Sequence, residues 1–339
     1  DQTLELGALN GVAGSLFRGG NTATGTTTLK VGNLNGTDTF AGDITNGATK
    51  TIAFNKTGTG TMTLSGTNTY TGITTLSSGK LLVNGSITAS SITAAAGATL
   101  GGNGSIASAT VSGKLAPGNS AGTLAATGAV TVSGIWETEI DGATADRFNV
   151  AGTLTLTGST LDFNVLAGGV TQAVYVIASY GNLVGSPAVT DLPFGYTLNT
   201  NYNSLKQIAI VRTATPFAFW ANGFSLTGNN ALATADPDFD GIANSIEYLL
   251  GMIPNIPDVA GLPAAARSGD NLVFTFTRNK AAALEYSSIV ETTDSLAGGS
   301  WSAVPAGNIA VQDNGQTETV TATIPLAGAP KLFARLKVQ

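Results

Sequence analysis

The chain has 339 residues, of which 42% are apolar and only 11% are charged, and its net charge is −6. The apolar fraction is large enough for a buried core and argues against a disordered chain, while the scarcity of Lys and Arg argues against nucleic acid as a partner. Cysteine and histidine are absent, which excludes disulfides, thiolate catalysis and zinc–sulfur sites and removes the most common general base.

Short strands recur between residues 57 and 86. Apolar or β-branched residues alternate with polar ones at 61–64, 73–76 and 80–83, and Gly, Asn and Ser lie between these segments. Gly and Asn tolerate positive φ, so each interval can turn the chain. Strands this short do not form a stable sheet alone. The pattern therefore predicts coils that stack on one another as a β-solenoid.

The same stretch resembles the autotransporter-associated β-strand repeat of secreted passenger proteins in Gram-negative bacteria. The matching residues are KTGTG at 56–60, LSG at 64–66, NTYTG at 68–72, GKL at 79–81 and, further on, LAPGNSAGTL at 115–124. The resemblance covers roughly residues 25–215. It implies a right-handed parallel β-helix that is exposed at or beyond the outer membrane.

The composition changes near Thr213, and we predict three domains of an all-β protein. Residues 1–213 form the parallel β-helix, and a loop over 179–203 can cover its last coil. Residues 214–265 form short helices with an acidic loop and a Pro-rich linker. Residues 266–339 form a small antiparallel β-sandwich, with strands predicted at 272–277, 285–291, 309–311, 317–324 and 332–338.

Residues 236–247 match the calcium-loop pattern D-x-D-x-D-G-x5-E at every specified position. The spacing predicts Ca²⁺ bound by side-chain oxygens and one backbone carbonyl, with the ligands Asp236, Asp238, Asp240, Ile242 (through its carbonyl), Asn244 and Glu247. The alternative is a solvated acidic turn that caps the helix starting near Ala243 without any metal. Because one copy of the loop is present, we interpret the ion as a structural clip and not as a sensor.

The segment around this loop resembles an interdomain module of large exported proteins from Verrucomicrobia-like bacteria. The matching residues are Trp220, the loop that begins at Asp236, Asn244, Glu247-Tyr248 and Leu250-Gly251. The resemblance covers roughly residues 217–339. In those proteins the module precedes a terminal β domain.

A second group of charged residues lies in the predicted solenoid. Glu137 and Glu139 share one face of a strand, with Asp141, Asp146 and Arg147 nearby. Paired carboxylates hydrolyse polysaccharides in some β-helix enzymes, and this hypothesis requires Glu137, Glu139, Asp141 and Arg147 to converge in one groove. The alternative is the solvent face of one coil. We predict no enzymatic activity.

Strand pattern begins near residue 1, where a solenoid without a cap would leave unpaired backbone groups. We therefore predict a structural protein that self-associates end to end, through the strand containing Leu4 and Leu6 and through the C-terminal domain. The pattern leaves a filament, a sheath and a layer open. The alternative is a monomeric adhesin that presents its C-terminal domain to a glycan or host surface.

The expected location is extracellular, at the surface of a Gram-negative-type bacterium. No apolar run approaches the roughly 18 residues of a membrane span. The numbering begins at Asp1 and not at Met, so we expect that a signal peptide has been removed.

Overall fold

The computed structural model describes residues 1–296, 300–326 and 331–339. These residues form two compact units, Asp1–Thr213 and Ala214–Gln339. Long parallel sheets build the first unit, and the second contains two small antiparallel sheets. The predicted fold class, a parallel β-helix followed by a small antiparallel sandwich, is confirmed.

The first unit contains twenty-six strands, most of them short. In chain order they are β1 (Gln2–Leu6), β2 (Leu16–Arg18), β3 (Gly25–Val31), β4 (Thr37–Phe40), β5 (Asp43–Thr45), β6 (Lys50–Lys56), β7 (Thr61–Leu64), β8 (Thr67–Asn68), β9 (Thr74–Leu76), β10 (Lys80–Val83), β11 (Ser86–Ile87), β12 (Ile92–Ala94), β13 (Thr99–Gly102), β14 (Ser105–Ile106), β15 (Ala109–Val111), β16 (Lys114–Pro117), β17 (Thr123–Ala126), β18 (Val130–Val132), β19 (Ile135–Gly142), β20 (Thr144–Ala145), β21 (Arg147–Thr155), β22 (Thr160–Val170), β23 (Val174–Val184), β24 (Ala188–Thr190), β25 (Tyr196–Asn199) and β26 (Gln207–Arg212).

Successive coils place these strands on three faces of the solenoid. The first face runs β1-β3-β6-β9-β12-β15-β18 and continues through the second half of β21 into the end of β23. The second face runs β8-β11-β14-β17, the first half of β21, β23, β26 and β25. The third face runs β4-β7-β10-β13-β16-β19-β22-β24. The pairs of strands are parallel except those that β26 makes with β23 and β25 and the pair of β19 with β20.

One ladder of inward-facing residues runs through the whole first face. Its members, in order along the stack, are Leu4, Leu29, Phe54, Thr74, Ile92, Ala109, Val130, Leu154 and Leu183. None of the seven between Leu4 and Leu183 is more than 5% exposed. Because side chains alternate across a strand, one residue per coil is enough to continue this apolar column.

The predicted strands at 61–64 and 80–83 occur with those bounds, and the one predicted at 73–76 begins at Thr74. The segment 179–203, which was predicted to be a covering loop, contains the end of β23 and the strands β24 and β25 in the structure. The end of β23 pairs in parallel with the end of β21, and β24 pairs in parallel with β22. These pairing partners belong to the preceding coil, so the sequence of the segment 179–203 does not predict them.

The second unit joins two helices to two sheets. Its elements are α1 (Pro216–Gly223), α2 (Asn244–Leu250), β27 (Ala264–Ser268), β28 (Asn271–Asn279), β29 (Ser288–Thr293), β30 (Ser302–Ala303), β31 (Ile309–Asp313), β32 (Thr317–Pro325) and β33 (Phe333–Val338). The sheets have the orders β27-β28-β32-β31 and β30-β29-β33. The strands β27 and β30 were not predicted, because they lack buried alternating residues.

The segment before the sandwich shares the core of the sandwich. Ile242, Leu250 and Met252 pack in one buried cluster with Phe274 and other residues from both sheets. Within the second unit, the acidic loop and α2 are therefore held by the core that holds the sheets. The predicted segments 214–265 and 266–339 lie in this single unit.

Candidate metal centre and repeat

The acidic loop brings three carboxylates together. Asp236, Asp238 and Asp240 each offer one oxygen, and the three oxygens lie within 4.8 Å of one another. Loop N–H groups hold these side chains inward: Gly241 N–H donates to Asp236 Oδ2 at 2.9 Å and Ile242 N–H donates to Asp240 Oδ1 at 2.8 Å. Gly241 has φ of +88°, a conformation that favours glycine.

Several oxygens of the loop and of α2 are buried without a hydrogen-bond partner. They are Asp236 Oδ1, Asp238 Oδ2, Asn244 Oδ1 and both carboxylate oxygens of Glu247. Asn244 and Glu247 are fully buried. A buried carboxylate without a partner is strongly destabilising. The unpaired donor set consists only of oxygens, which is the chemistry of a hard cation such as Ca²⁺.

Asn244 is oriented by backbone carbonyls that precede the loop. Its side-chain amide donates to the carbonyls of Asn230 and Leu232, each at 2.8 Å. Both donor hydrogens are thus directed away from Asn244 Oδ1, which has no partner of its own. The motif identifies Asn244, but its two carbonyl acceptors carry no sequence signal.

Glu247 does not belong to the group of aspartates whose oxygens lie within 4.8 Å of one another, but their negative charges affect its pKa. Burial, and then the negative charges of Asp238, Asp240 and Asp236, raise the pKa of Glu247 to about 7. Burial also raises the pKa of Asp238. A cation bound among these carboxylates would instead lower their pKa values, because its positive charge stabilises the ionised form.

The metal-free alternative, aspartates that cap α2, does not match these hydrogen bonds. The N-cap position of α2 is Ala243, and no side chain caps it. The aspartate oxygens accept from N–H groups of the loop itself and, at Asp240 Oδ2, from Asp258 N–H at 3.1 Å. The contact of Asp258 was not predicted, because Asp258 lies beyond α2 in a segment without a motif.

The acidic groups of the solenoid do not all converge. Glu137, Glu139 and Asp146 line one polar recess of about 280 Å³ together with Lys80. Asp141 is not among the residues that line it and accepts a hydrogen bond from Gly168 N–H at 2.8 Å. Arg147 lines a different recess. The arrangement that the polysaccharide-enzyme hypothesis requires is therefore not present among these four residues.

Asp146 predicts a pH dependence of the stability of the first unit. Burial raises the pKa of Asp146 to about 6, although Gly122 N–H and Glu139 N–H donate to its carboxylate. A carboxyl whose pKa is raised on folding stabilises at low pH, and this contribution is lost as the pH rises through about 6. We expect the free energy of unfolding to fall by about 1–2 kcal/mol between pH 4 and pH 7.5, since solvent screens part of the effect.

Asp146→Asn is expected to remove that pH-dependent component while lowering stability overall, because the amide NH₂ group replaces one of the two carboxylate oxygens that accept these N–H groups. The measurement is urea unfolding followed by the fluorescence of Trp136, with the other two tryptophans, Trp220 and Trp301, replaced by Phe. An equal slope with pH in parent and variant would contradict the assignment to Asp146.

Lys56 of the repeat is buried, and its ammonium group is held by backbone carbonyls. Its Nζ donates to Thr57 O at 2.7 Å, to Gly58 O at 3.0 Å and to Ser78 O at 3.5 Å in the next coil. Burial lowers the pKa of Lys56, and the charge of Asp38 opposes this effect. Gly58 has φ of +69°, and a Cβ there would lie 2.0 Å from Gly32 O. The glycines of the repeat thus permit the close approach of successive turns.

Asn68 connects three coils. Its Oδ1 accepts from Ile44 N–H in the preceding coil, and its Nδ2 donates to Gly66 O and to Ser86 O in the following coil, all at 3.1 Å. Because Asn68 is buried, leaving one of these groups without its partner would be costly. The asparagine of the repeat therefore acts as a bridge between neighbouring coils.

A chain of buried hydroxyls completes the repeat. Tyr70 OH lies 2.6 Å from Thr74 Oγ1, Thr74 Oγ1 lies 2.8 Å from Ser90 Oγ, and Ser90 Oγ donates to Gly72 O at 2.6 Å. Burial raises the pKa of Tyr70 well above its usual range. The hydroxyl groups of Tyr70, Thr74 and Ser90 thus satisfy one another inside the solenoid.

Residues 54–83 match the family model of the passenger-associated-transport-repeat. The matched stretch runs from the middle of β6 to the end of β10 and contains Lys56, Asn68 and Tyr70. The second sequence motif, at 115–124, lies outside it. No curated protein is significantly similar to the chain.

Within the residues that the structure describes, no helix has both the length and the apolar character needed to cross a membrane. The stack of parallel sheets in the structure is consistent with the β-helix of a passenger protein, which is what the matched repeat indicates. The chain thus carries a passenger-associated-transport-repeat within a parallel β-helix, as do autotransporter-associated proteins of passenger type, which are secreted or lie at the cell surface.

Proposed function

We propose that this passenger-type protein is a structural component of the cell surface whose subunits join end to end. The observation that carries the proposal is the edge of β1. Among the described residues β1 pairs only with β3, and Leu4, although it begins the apolar ladder, is 42% exposed. A strand edge with unpaired N–H and C=O groups is a template for another strand.

Leu4→Asp is expected to abolish this association and leave a folded monomer. A carboxylate at the first ladder position would be buried without a partner when a second strand covered it. The measurement is sedimentation velocity, with negative-stain microscopy of the same samples. Leu205→Asp is the matched control, since Leu205 is an exposed leucine of the same unit outside the ladder. A parent protein that is monomeric at every concentration would contradict the proposal and favour the adhesin hypothesis.

We also propose that residues 236–247 bind Ca²⁺ as a structural clip of the second unit. Asp236, Asp238, Asp240, Asn244 and Glu247 would hold the ion with side-chain oxygens, and Ile242 would add its backbone carbonyl. The buried oxygens without partners support this proposal. The ion would supply the positive charge that the four carboxylates lack.

A further inference from the structure

The last coil of the solenoid leaves the apolar column uncovered. Leu154 is fully buried, whereas the next ladder member, Leu183, is only partly buried. The third face ends in the same way: Leu161 is fully buried and its ladder partner Val189 is 36% exposed. Inward-facing positions that are buried in the interior coils are therefore less buried in this last coil, as Leu4 is in the first.

Only the second face is closed by a different arrangement. There β26 pairs with the first part of β23 in the antiparallel sense, and β25 pairs with β26. The register with β26 covers Val174 to Ser179 and does not include Asn182, Leu183 or Val184. Within the described residues, Asn182–Val184 pairs with β21 alone. The first face thus ends in a short parallel strand with one unpaired edge.

The two ends of the first face match in direction and in register. β1 and the end of β23 belong to one parallel series, so both run in the same direction. Leu4 and Leu183 occupy the same ladder, with Thr3 and Glu5 on either side of one and Asn182 and Val184 on either side of the other. A second copy placed with its Leu4 above Leu183 would repeat the pairing found inside each subunit.

We infer that the partner of β1 is the strand Asn182–Val184 of a second copy, so that the ladder of one subunit continues into the next. This inference rests on the proposed self-association and names the surface that accepts β1. The acceptor lies on the solenoid. The C-terminal sandwich, which the sequence suggested as the partner, offers antiparallel strands, whereas the coil end offers a parallel edge and an apolar ladder position.

Single cysteines test this pairing directly, because the chain contains no cysteine. Glu5 and Val184 neighbour ladder residues and face outward, and paired strands lie about 4.8 Å apart, which is within the Cα separation of a disulfide. A mixture of Glu5→Cys and Val184→Cys proteins is expected to form a disulfide-linked heterodimer under mild oxidation. The control pair is Glu5→Cys with Thr197→Cys, since Thr197 lies on β25 of the second face.

A complementation experiment gives an independent readout. Leu4→Asp retains the acceptor end and Leu183→Asp retains the donor end, so each alone is expected to be monomeric and an equimolar mixture is expected to form dimers and nothing longer. Sedimentation velocity measures both. Circular dichroism of each variant before mixing confirms that it is folded.

The outcomes separate the inference from the proposed function. Parent-like assembly of Leu183→Asp, or a disulfide with Thr197→Cys in place of Val184→Cys, would overturn the assignment of the acceptor while self-association stood. A parent protein that never associates would overturn the proposed function and the inference together.

Discussion

Glu247→Gln is expected to abolish a calcium-dependent rise of about 10 °C in the melting temperature of the second unit. At a free Ca²⁺ concentration one hundred times Kd, binding stabilises the folded state by about 2.7 kcal/mol, which corresponds to roughly that shift for a unit of this size. Glutamine keeps the shape of the side chain but removes the charge and one of the two ligand oxygens. The measurement is thermal unfolding in Ca²⁺ and in chelator, followed by the fluorescence of Trp220 and Trp301.

The sign of the effect in chelator separates a metal ligand from a merely structural residue. Without the cation, Glu247 is a buried carboxylate beside three aspartates, and burial together with their charges raises its pKa to about 7. Its replacement by a neutral amide is therefore expected to raise the melting temperature in chelator while lowering it in Ca²⁺. Asp313→Asn, which alters an exposed ion pair with Lys280, should leave the calcium response unchanged. Equal melting temperatures of the parent protein in Ca²⁺ and in chelator would contradict the proposed calcium site.

Asn68→Asp is expected to destabilise the first unit by about 3–5 kcal/mol. The substitution keeps the size of the side chain but turns a donor into an acceptor. Gly66 O and Ser86 O would each lose the N–H that bonds them, and a carboxylate would face them inside the solenoid. The measurement is urea unfolding followed by the fluorescence of Trp136 in the protein whose other tryptophans are Phe.

The matched control is Asn119→Asp, which makes the same chemical change at an exposed position of the same unit. We expect its effect to stay within about 0.5 kcal/mol. If Asn68→Asp were as mild as the control, the three-coil bridge would not be an important source of stability. Hydrogen exchange at Ile44 N–H gives a local check, because this group donates to Asn68 Oδ1 in the parent.

The sequence by itself determined the features that are local. Alternation of apolar and polar residues is enough to locate β7 and β10, because a strand needs only the period of two. The loop at 236–247 is equally local, since the proposed ligands and Gly241 lie within twelve residues of one another. For the same reason the turn glycines and the short helix α2 could be predicted from neighbouring residues.

The tertiary structure alone decided which distant residues meet. Lysine and asparagine are mostly exposed in proteins, yet stacking buries Lys56 and Asn68 against carbonyls of other coils. Asp146, and neither Asp141 nor Arg147, joins Glu137 and Glu139, because a turn between β19 and β21 returns the chain. The ladder from Leu4 to Leu183 depends on the length of every coil between them, and no local pattern encodes that register.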